Sequence, residues 1–101
     1  MPVLHVVNRS PYESSVLAAC VSRLGTGDAL LLIQDAVYAS LSGTKGAEVL
    51  GAACGASIYV LGPHLDARGL SRMPLVKELS VVDFDRFVDL TLAYDHSISW
   101  S

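Results

Sequence analysis

The sequence predicts one α/β domain, residues 1–101, with a mostly parallel sheet of about four to five strands and helices on both faces. Its 101 residues are enough for a single small domain. Short apolar segments rich in branched side chains recur at residues 3–7, 29–33, 57–61 and 80–82, without in–out alternation. This pattern is typical of parallel strands covered on both faces. Segments with helical spacing separate them, and right-handed crossovers then place helices on the two faces.

The first helix is predicted to begin at a capping box. Ser10 would be the N-cap, Pro11 the first helical residue and Glu13 the third, so that the Ser10 and Glu13 side chains satisfy backbone N–H groups. An apolar stripe follows, and Gly25 supplies the C-terminal stop. The stripe consists of Val16, Leu17, Cys20, Val21 and Leu24.

Two helices are predicted between the second and third strands. The first covers residues 36–41, with Asp35 as its cap. The second begins at Thr44 and ends at Gly55. Its buried side consists of Val49, Leu50, Ala53 and Cys54.

The last third of the chain predicts a short helix, a loop, a strand and a final helix. Residues 64–68 form one helical turn ended by Gly69, and residues 71–77 form a loop. The final helix begins after Asp83 as cap, and residues 95–101 are expected as a tail. The apolar face of that helix consists of Phe84, Phe87, Val88 and Thr91.

Charge and hydropathy limit the partners of this chain. Seven Lys and Arg against ten Asp and Glu give a net charge of −3, so direct binding of nucleic acid is not expected. The longest apolar run, residues 16–21, is far shorter than the roughly 20 residues that span a bilayer. No signal peptide is recognised, so a cytoplasmic location with reduced thiols is expected. Charged residues are only 17 %, against roughly 25 % on average, which predicts surface buried against partner proteins.

The search for catalytic and binding motifs yields few candidates. His5, His64 and His96 are scattered without ligand spacing, so no metal and no cofactor are expected. His5 is interpreted as a strand residue hydrogen-bonded in place. His64 follows the third strand at the edge of the sheet where ligands bind in parallel α/β proteins.

Two further positions near that edge have alternative interpretations. Arg9 lies beside a predicted helix N-terminus, where it either helps to bind an anion or is simply solvated. Asp35 and Tyr38 follow the second strand and either line a cleft or, for Asp35, cap the short helix.

The two cysteines are the candidate thiol nucleophiles. Cys20 and Cys54 each lie on the apolar stripe of a predicted helix, where a thiol is usually a small buried hydrophobe with a raised pKa. Neither is predicted at a helix N-terminus, where a thiolate would be stabilised. The residues alone favour a structural role for both.

Several segments together resemble the DsrH/TusB family along nearly the whole chain. They are His5 with Arg9-Ser10-Pro11, the run from Leu30 to Val37, Tyr59-Val60-Leu61, Asp66 to Leu70, Val82-Asp83-Phe84 with Phe87-Val88 and Leu90-Thr91, and Trp100. Their order, their spacing and the chain length make the match specific.

The resemblance implies a subunit of the cytoplasmic DsrEFH (TusBCD) sulfur-relay complex. Its partners would be DsrE/TusD-like and DsrF/TusC-like subunits, in two copies each, and a small DsrC/TusE-type carrier that receives persulfide sulfur. The relay serves either dissimilatory sulfur oxidation, which is the main interpretation, or 2-thiolation of the tRNA wobble uridine.

The resemblance also bears on the thiols. The main persulfide cysteine of the family belongs to the DsrE/TusD subunit, and the corresponding position here is near Leu61. TusB-type members would therefore be noncatalytic partners. DsrH-type members can carry a cysteine in the first helix, which makes Cys20 a candidate sulfur-handling thiol.

Overall fold

The computed structural model describes residues 2–53 and 55–101, and in that part five strands form one parallel sheet. The spatial order is β4-β3-β2-β1-β5, and every neighbouring pair is parallel. The strands are β1 (Val3–Val7), β2 (Ala29–Leu32), β3 (Ser57–Leu61), β4 (Leu79–Val82) and β5 (His96–Trp100). The α/β fold class and the four predicted strands are confirmed.

The expectation of a tail at residues 95–101 is wrong, because these residues contain β5. This strand lies at the sheet edge beside β1, with His5 paired to Ile98 and Val7 to Trp100. Its serines alternate with larger side chains, four of its five residues are exposed, and Trp100 packs against the front core. A search for continuous apolar runs therefore does not detect it.

The chain order explains which face each helix covers. The steps from β1 to β4 all move in one direction across the sheet, so right-handed crossovers put their helices on the same side, here called the front face. The step from β4 to β5 returns across the whole sheet and puts its helix on the opposite side, the back face. The front-face helices are α1 (Val16–Ser22), the 3₁₀ helix (Gln34–Ser40), α2 (Lys45–Leu50) and α3 (Gly62–Ala67), and the back-face helix is α4 (Phe84–Ala93).

Each face has its own apolar core. The front core is the larger and joins strand residues such as Leu30 and Val60 to Leu17 of α1 and Leu50 of α2. The smaller back core is closed by α4 through Leu90. Its other buried members are Leu4, Ala29, Leu31, Leu61 and Val82.

The predicted capping box at Ser10 does not form, and α1 begins at Val16 instead. The Ser10 hydroxyl accepts the N–H of Tyr12 at 3.1 Å, and its carbonyl accepts the N–H of Ser14 at 3.1 Å, so this segment is a turn. The Ser14 hydroxyl accepts the N–H of Val16 at 3.1 Å. These local serine bonds compete with helix formation and delay its start by one and a half turns.

The predicted helix start at Thr44 and the predicted helix cap at Asp83 are confirmed. The Thr44 hydroxyl accepts the N–H of Ala47 at 3.2 Å, and an Asp83 carboxylate oxygen accepts the N–H of Arg86 at 2.8 Å. Helix α2 ends earlier than predicted, at Leu50, and Cys54 lies outside the described residues. The predicted cap at Asp35 is wrong, since Ile33 occupies the N-cap position.

Helix α4 contacts the sheet through a different side from the one predicted. Leu90 is buried and Phe87 is partly buried, whereas Phe84 and Val88 are 53 % and 56 % exposed. The helix has apolar side chains around much of its circumference, so periodicity alone does not determine which side contacts the sheet. Leu92, 79 % exposed, continues the outward row.

Within the described ranges, the structure contains no helix that is long and apolar enough to cross a membrane.

Candidate functional site

The carboxyl ends of the parallel strands meet at one edge of the sheet, where ligands bind in open α/β folds. Gln34 and Asp35 follow β2, and His64 follows β3 at the start of α3. Because β2 and β3 are neighbours in register, these residues come together. The structure thus unites two of the predicted candidates, Asp35 and His64.

His64 is held at this edge by a hydrogen bond to the backbone. Its Nδ1 accepts the N–H of Gln34 at 2.7 Å, so in the neutral ring the proton resides on Nε2. Burial, together with the nearby charge of Arg68, lowers the pKa of His64 below the usual range. The ring also packs edge-on against Phe84, with centroids 5.9 Å apart. His64 is therefore a neutral ring at pH 7.

Gln34 adopts a left-handed backbone conformation, with φ of 50°. This conformation costs energy for a residue with a side chain, and the surrounding structure has to stabilise it. The bond from its N–H to His64 is one such contact.

Arg68 connects the segment after β2 to the segment after β3. Its Nε and Nη2 atoms both lie 3.0 Å from one carboxylate oxygen of Asp35, and its Nη1 donates to the His64 carbonyl at 3.2 Å. The Asp35 side chain is 57 % exposed, so the ion pair itself contributes little to stability, about 0–1 kcal/mol. The sequence singled out Asp35 and His64 but not Arg68 as a connecting residue. The available signal was the spacing of four residues between His64 and Arg68, which places the two residues on the same side of a helix.

An open cleft of about 380 Å³ lies beside this edge. Asp35 and Tyr38 line it, as predicted, together with Ser10, Tyr12 and Glu13 from the turn before α1. Arg9 is exposed and precedes that turn, well ahead of the N-terminus of α1 at Val16. The structure therefore does not combine Arg9 with a helix N-terminus into an anion site.

Cys20 lies deep in the front core. Its side chain is fully buried, and burial together with the charge of Asp28 raises the pKa of its thiol to about 12. A thiol in this state is a poor nucleophile at neutral pH. At the sheet edge, the position near which the family resemblance places a persulfide cysteine is Leu61, which is also fully buried.

A second polar cluster lies away from this edge. His5 of β1 is buried between Asp28, whose Oδ2 is 3.1 Å from the His5 Nε2, and Trp100, whose indole nitrogen is 3.1 Å from the His5 Nδ1. The interpretation of His5 as a strand residue hydrogen-bonded in place is confirmed. Sequence reasoning identified neither partner, because Asp28 precedes β2 and Trp100 belongs to the strand that was missed.

The carboxylate of Asp28 is also bonded to the backbone. Burial by itself would raise its pKa, but N–H groups of Gly25 and Val3, at 2.9 and 2.8 Å, and the His5 ring lower it below the usual value. Asp28 is therefore an anion at neutral pH, bonded both to the turn before β2 through Gly25 and to β1 through Val3 and His5.

Besides the two polar clusters, the surface carries an apolar row on the outside of α4. Phe84, Val88 and Leu92 follow one another at intervals of four residues, and all three are more than half exposed. We call this row the α4 stripe. Residues four apart form a ridge along a helix, which is the shape that another helix packs against.

The arrangement at the sheet edge limits its chemistry. It provides a neutral imidazole and an arginine–carboxylate pair, whereas Cys20 lies within α1, away from the carboxyl ends of the strands. In residues 2–53 and 55–101, no three histidine, cysteine or acidic side chains gather as metal ligands do. The described residues therefore offer an exposed binding surface and lack an accessible nucleophilic thiol.

Comparisons with known proteins extend over nearly the whole chain. A family model described as DsrH like protein matches residues 9–97. Curated proteins named Protein TusB match 97 % of this chain and 100 % of their own lengths: that of Photorhabdus laumondii is 34 % identical over 100 residues, and that of Escherichia coli K12 is 35 % identical over 98 residues. Among solved structures, the ychN protein from E. coli has the same fold, with a TM-score of 0.78, 24 % identity and coverage of 98 % of both chains.

Proposed function

Because this chain belongs to the DsrH family, we propose that it is an interaction subunit of a cytoplasmic sulfur-relay complex. In this complex, DsrE/TusD-like and DsrF/TusC-like subunits would be its partners, and a DsrC/TusE-type carrier would receive the sulfur. The main persulfide cysteine would belong to the DsrE/TusD-like subunit.

The observation that carries the proposal is the α4 stripe. Three large apolar side chains in a row are exposed on a chain that has only 17 % charged residues. Contiguous exposed apolar surface on a small domain is typical of protein–protein contacts. A permanent subunit contact would bury it.

One flank of the stripe gives the partner a chemical signature. Asp85 and Asp89 each directly follow a stripe residue, and both are exposed. Two copies of α4 packed stripe to stripe would bring these carboxylates together, which costs energy. A different chain with an apolar ridge and a basic flank fits better, which supports a hetero-oligomer.

The state of the Cys20 thiol supports a noncatalytic role. Cys20 is buried with a raised pKa, and Leu61 at the end of β3 has no group that could hold sulfur. The prediction that Cys20 handles sulfur requires that assembly exposes its thiol. It is tested by mass spectrometry of the complex after loading with a persulfide donor. A gain of one sulfur on Cys20 would support sulfur handling, whereas normal transfer by a Cys20→Ser complex would contradict it.

A single substitution in the α4 stripe tests the interaction role. Val88→Asp places a charge in the centre of the ridge, and Ala18→Asp places the same charge on an exposed position of α1 as the matched control. Co-expressed with its DsrE- and DsrF-like partners, the wild type and Ala18→Asp should co-purify with them stoichiometrically. The amount of partner protein that co-purifies with Val88→Asp should fall at least about tenfold, while its circular dichroism spectrum stays the same as that of the wild type. Stoichiometric co-purification of Val88→Asp would contradict the proposal.

For the pathway, the name TusB of the curated relatives favours tRNA thiolation over the main interpretation, sulfur oxidation. Both pathways are measurable after deletion of the gene in its own host. Loss of 2-thiolated wobble uridine with normal sulfur oxidation would support thiolation. The reverse result would support sulfur oxidation.

A further inference from the structure

Helix α4 crosses the back face of the sheet diagonally, as the burial of the residues beneath it shows. At the carboxyl ends of the strands, Val82 of β4 and Leu61 of β3 are buried on this face. At the amino ends, the buried residues are instead Ala29 of β2 and Leu4 of β1. The helix therefore begins over β3 and β4 and ends over β1 and β2, and it leaves two opposite corners of the back face uncovered.

One row of paired residues across the middle of the sheet locates these corners. From β5 to β4, the row consists of Ser99, Val6, Leu31, Tyr59 and Ser80. Leu31 in the centre is fully buried, its two neighbours are partly buried, and the two serines at the ends are exposed. We call the uncovered surface at Ser99 and Val6 the β5 corner, and that at Ser80 and Tyr59 the β4 corner.

The two sides of α4 that border these corners differ in polarity. Helix α4 runs opposite to the strands, because it connects the carboxyl end of β4 to the amino end of β5, and the buried Leu90 marks its side toward the sheet. The right-handed turn of the helix then directs Phe84 and Val88 toward the β5 side and Arg86 toward the β4 side. The contact of Phe84 with His64, which follows β3, agrees with this direction. The β5 corner therefore has an apolar border and the β4 corner a charged one.

We infer that the β5 corner is the docking site of an α-helix from a partner subunit, which lies beside α4 and extends the helical layer of the back face. This inference rests on the proposed function, because it names the surface and the partner element of the same subunit contact. The α4 stripe forms the side of the site. Val6 and the small side chain of Ser99 form its floor, which a helix can approach closely. The β4 corner stays open to solvent.

The dimensions of the β5 corner favour a helix as the occupant. The five strands span about 19 Å and α4 is about 10 Å wide, so the uncovered width is about that of one further helix. A ridge of residues four apart, such as the α4 stripe, packs against a neighbouring helix. A strand added to the outer edge of β5 would lie in the plane of the sheet, and it would not reach the α4 stripe.

Unpaired charges beside the α4 stripe define the chemistry of the partner helix. Asp85 and Asp89 are exposed, and within residues 2–53 and 55–101 neither has an ion-pair partner. The partner helix should therefore present an apolar ridge to the stripe and place Lys or Arg on its outer flank, near these carboxylates. A second copy of this chain would bring further carboxylates to the same place, so the occupant is a different chain.

Alkylation of cysteines placed in the two corners tests the inference in the assembled complex. Ser99→Cys and Ser80→Cys are a matched pair, because both serines are exposed and end the same row on opposite sides of α4. In the isolated chain, both variants should react readily with iodoacetamide at the new position. In the complex with the co-expressed DsrE- and DsrF-like chains, the rate at position 99 should fall at least about tenfold and that at position 80 less than about twofold. Peptide mapping separates these positions from the native cysteines.

Cross-linking identifies the element that occupies the β5 corner. Benzoylphenylalanine is introduced in turn at Ser97 and Ser99, which lie on the same face of β5. The cross-linked partner residues, located by mass spectrometry, should recur at the intervals of about three to four residues that are typical of one side of a helix. Intervals of about two residues would indicate a strand and would overturn the inference. Cross-links to a second copy of this chain would also overturn it.

The outcomes separate this inference from the proposed function. If the complex forms and Val88→Asp disrupts it, but position 99 stays reactive or position 80 is equally protected, the proposed function stands and the β5 corner is not the docking site. If the wild-type chain forms no complex, both are contradicted. Circular dichroism checks the folding of each variant, and Ser97→Cys on the same face of β5 replaces Ser99→Cys if that variant does not fold.

Discussion

The front and back faces of the sheet use similar apolar side chains in opposite ways. On the front, Leu30, Leu32 and Val60 are completely covered by the helices that pack on them. On the back, α4 covers Leu31 and Leu61 but exposes its own stripe of apolar residues. The front face completes a core within the chain, whereas the back face leaves apolar side chains of α4 exposed. Composition alone does not distinguish these two uses.

The difference follows from the number of helices on each face. The four helical elements of the front together cover the sheet, but α4 is a single helix of 10 residues, about 15 Å long. A five-stranded sheet is about 19 Å across from its first to its last strand, at about 4.8 Å per strand, so one helix about 10 Å wide covers only part of it. After β4 the chain crosses back over the sheet once, to β5, and this single crossover leaves the back face with one helix.

The largest expected difference between the faces is in thiol reactivity. Cys20 should react with iodoacetamide at pH 8 roughly a thousandfold more slowly than an unperturbed thiol, because its pKa of about 12 removes nearly all thiolate. A Val88→Cys variant provides the exposed thiol on the other face in the same molecule. Peptide mapping after timed alkylation of the isolated chain measures both rates. Equal rates at the two positions would show that the front core opens readily.

Truncation of one leucine on each face should give unequal losses of stability. Leu30→Ala removes a completely buried side chain from the front core and should lower the free energy of unfolding by about 3 kcal/mol. Leu92→Ala removes an exposed side chain of the α4 stripe and should change it by less than about 0.5 kcal/mol in the isolated chain. Urea titration measures both values. A loss at Leu92 approaching that at Leu30 would mean that the isolated chain already covers the stripe.

The close packing of the front helices is tested by one added methyl group. Gly46 of α2 lies against the 3₁₀ helix, and a Cβ built there would be 2.6 Å from the Ala39 Cα and 2.9 Å from its Cβ. Gly46→Ala should therefore lower the free energy of unfolding by about 1–3 kcal/mol through overpacking. Gly25→Ala is the control, because its new methyl group meets only an ordinary contact at 3.6 Å from Asp28. Equal midpoints for both variants in thermal unfolding would argue against tight packing at Gly46.

The smallest expected difference concerns the two helix starts, one on each face. Asp83→Ala removes the side-chain cap of α4 and should cost about 1 kcal/mol of unfolding free energy. Ser10→Ala removes only a bond within the turn before α1 and should cost less than about 0.5 kcal/mol. Both values are measurable by denaturant titration. A full cap loss at Ser10 would show that α1 extends back to the predicted capping box.

Much of this fold follows from local sequence signals. The branched apolar segments place β1 to β4 within one residue of their observed ends. For the inner strands β1, β2 and β3 the reason is that a strand covered on both faces has to be largely apolar. Thr44 and Asp83 mark helix starts because their side chains bond N–H groups only three residues away. The resemblance to the DsrH/TusB family also depends on residues that are visible in the sequence.

Other features depend on contacts between distant segments. Strand β5 exists because β1 offers it a partner ladder more than ninety residues earlier in the chain, and no local pattern contains that information. The hydrogen bonds of His5 with Asp28 and Trp100 likewise join distant parts of the chain, and the site at the carboxyl ends of the strands joins the segments after β2 and β3. The side of α4 that contacts the sheet was decided by the surface beneath it, since the helix has more than one apolar side. The sequence by itself determined which segments form strands and helices and which family they resemble, because those depend on near neighbours. Tertiary structure alone decided which side chains are buried and which are available to partners, because burial depends on what the rest of the chain places against them.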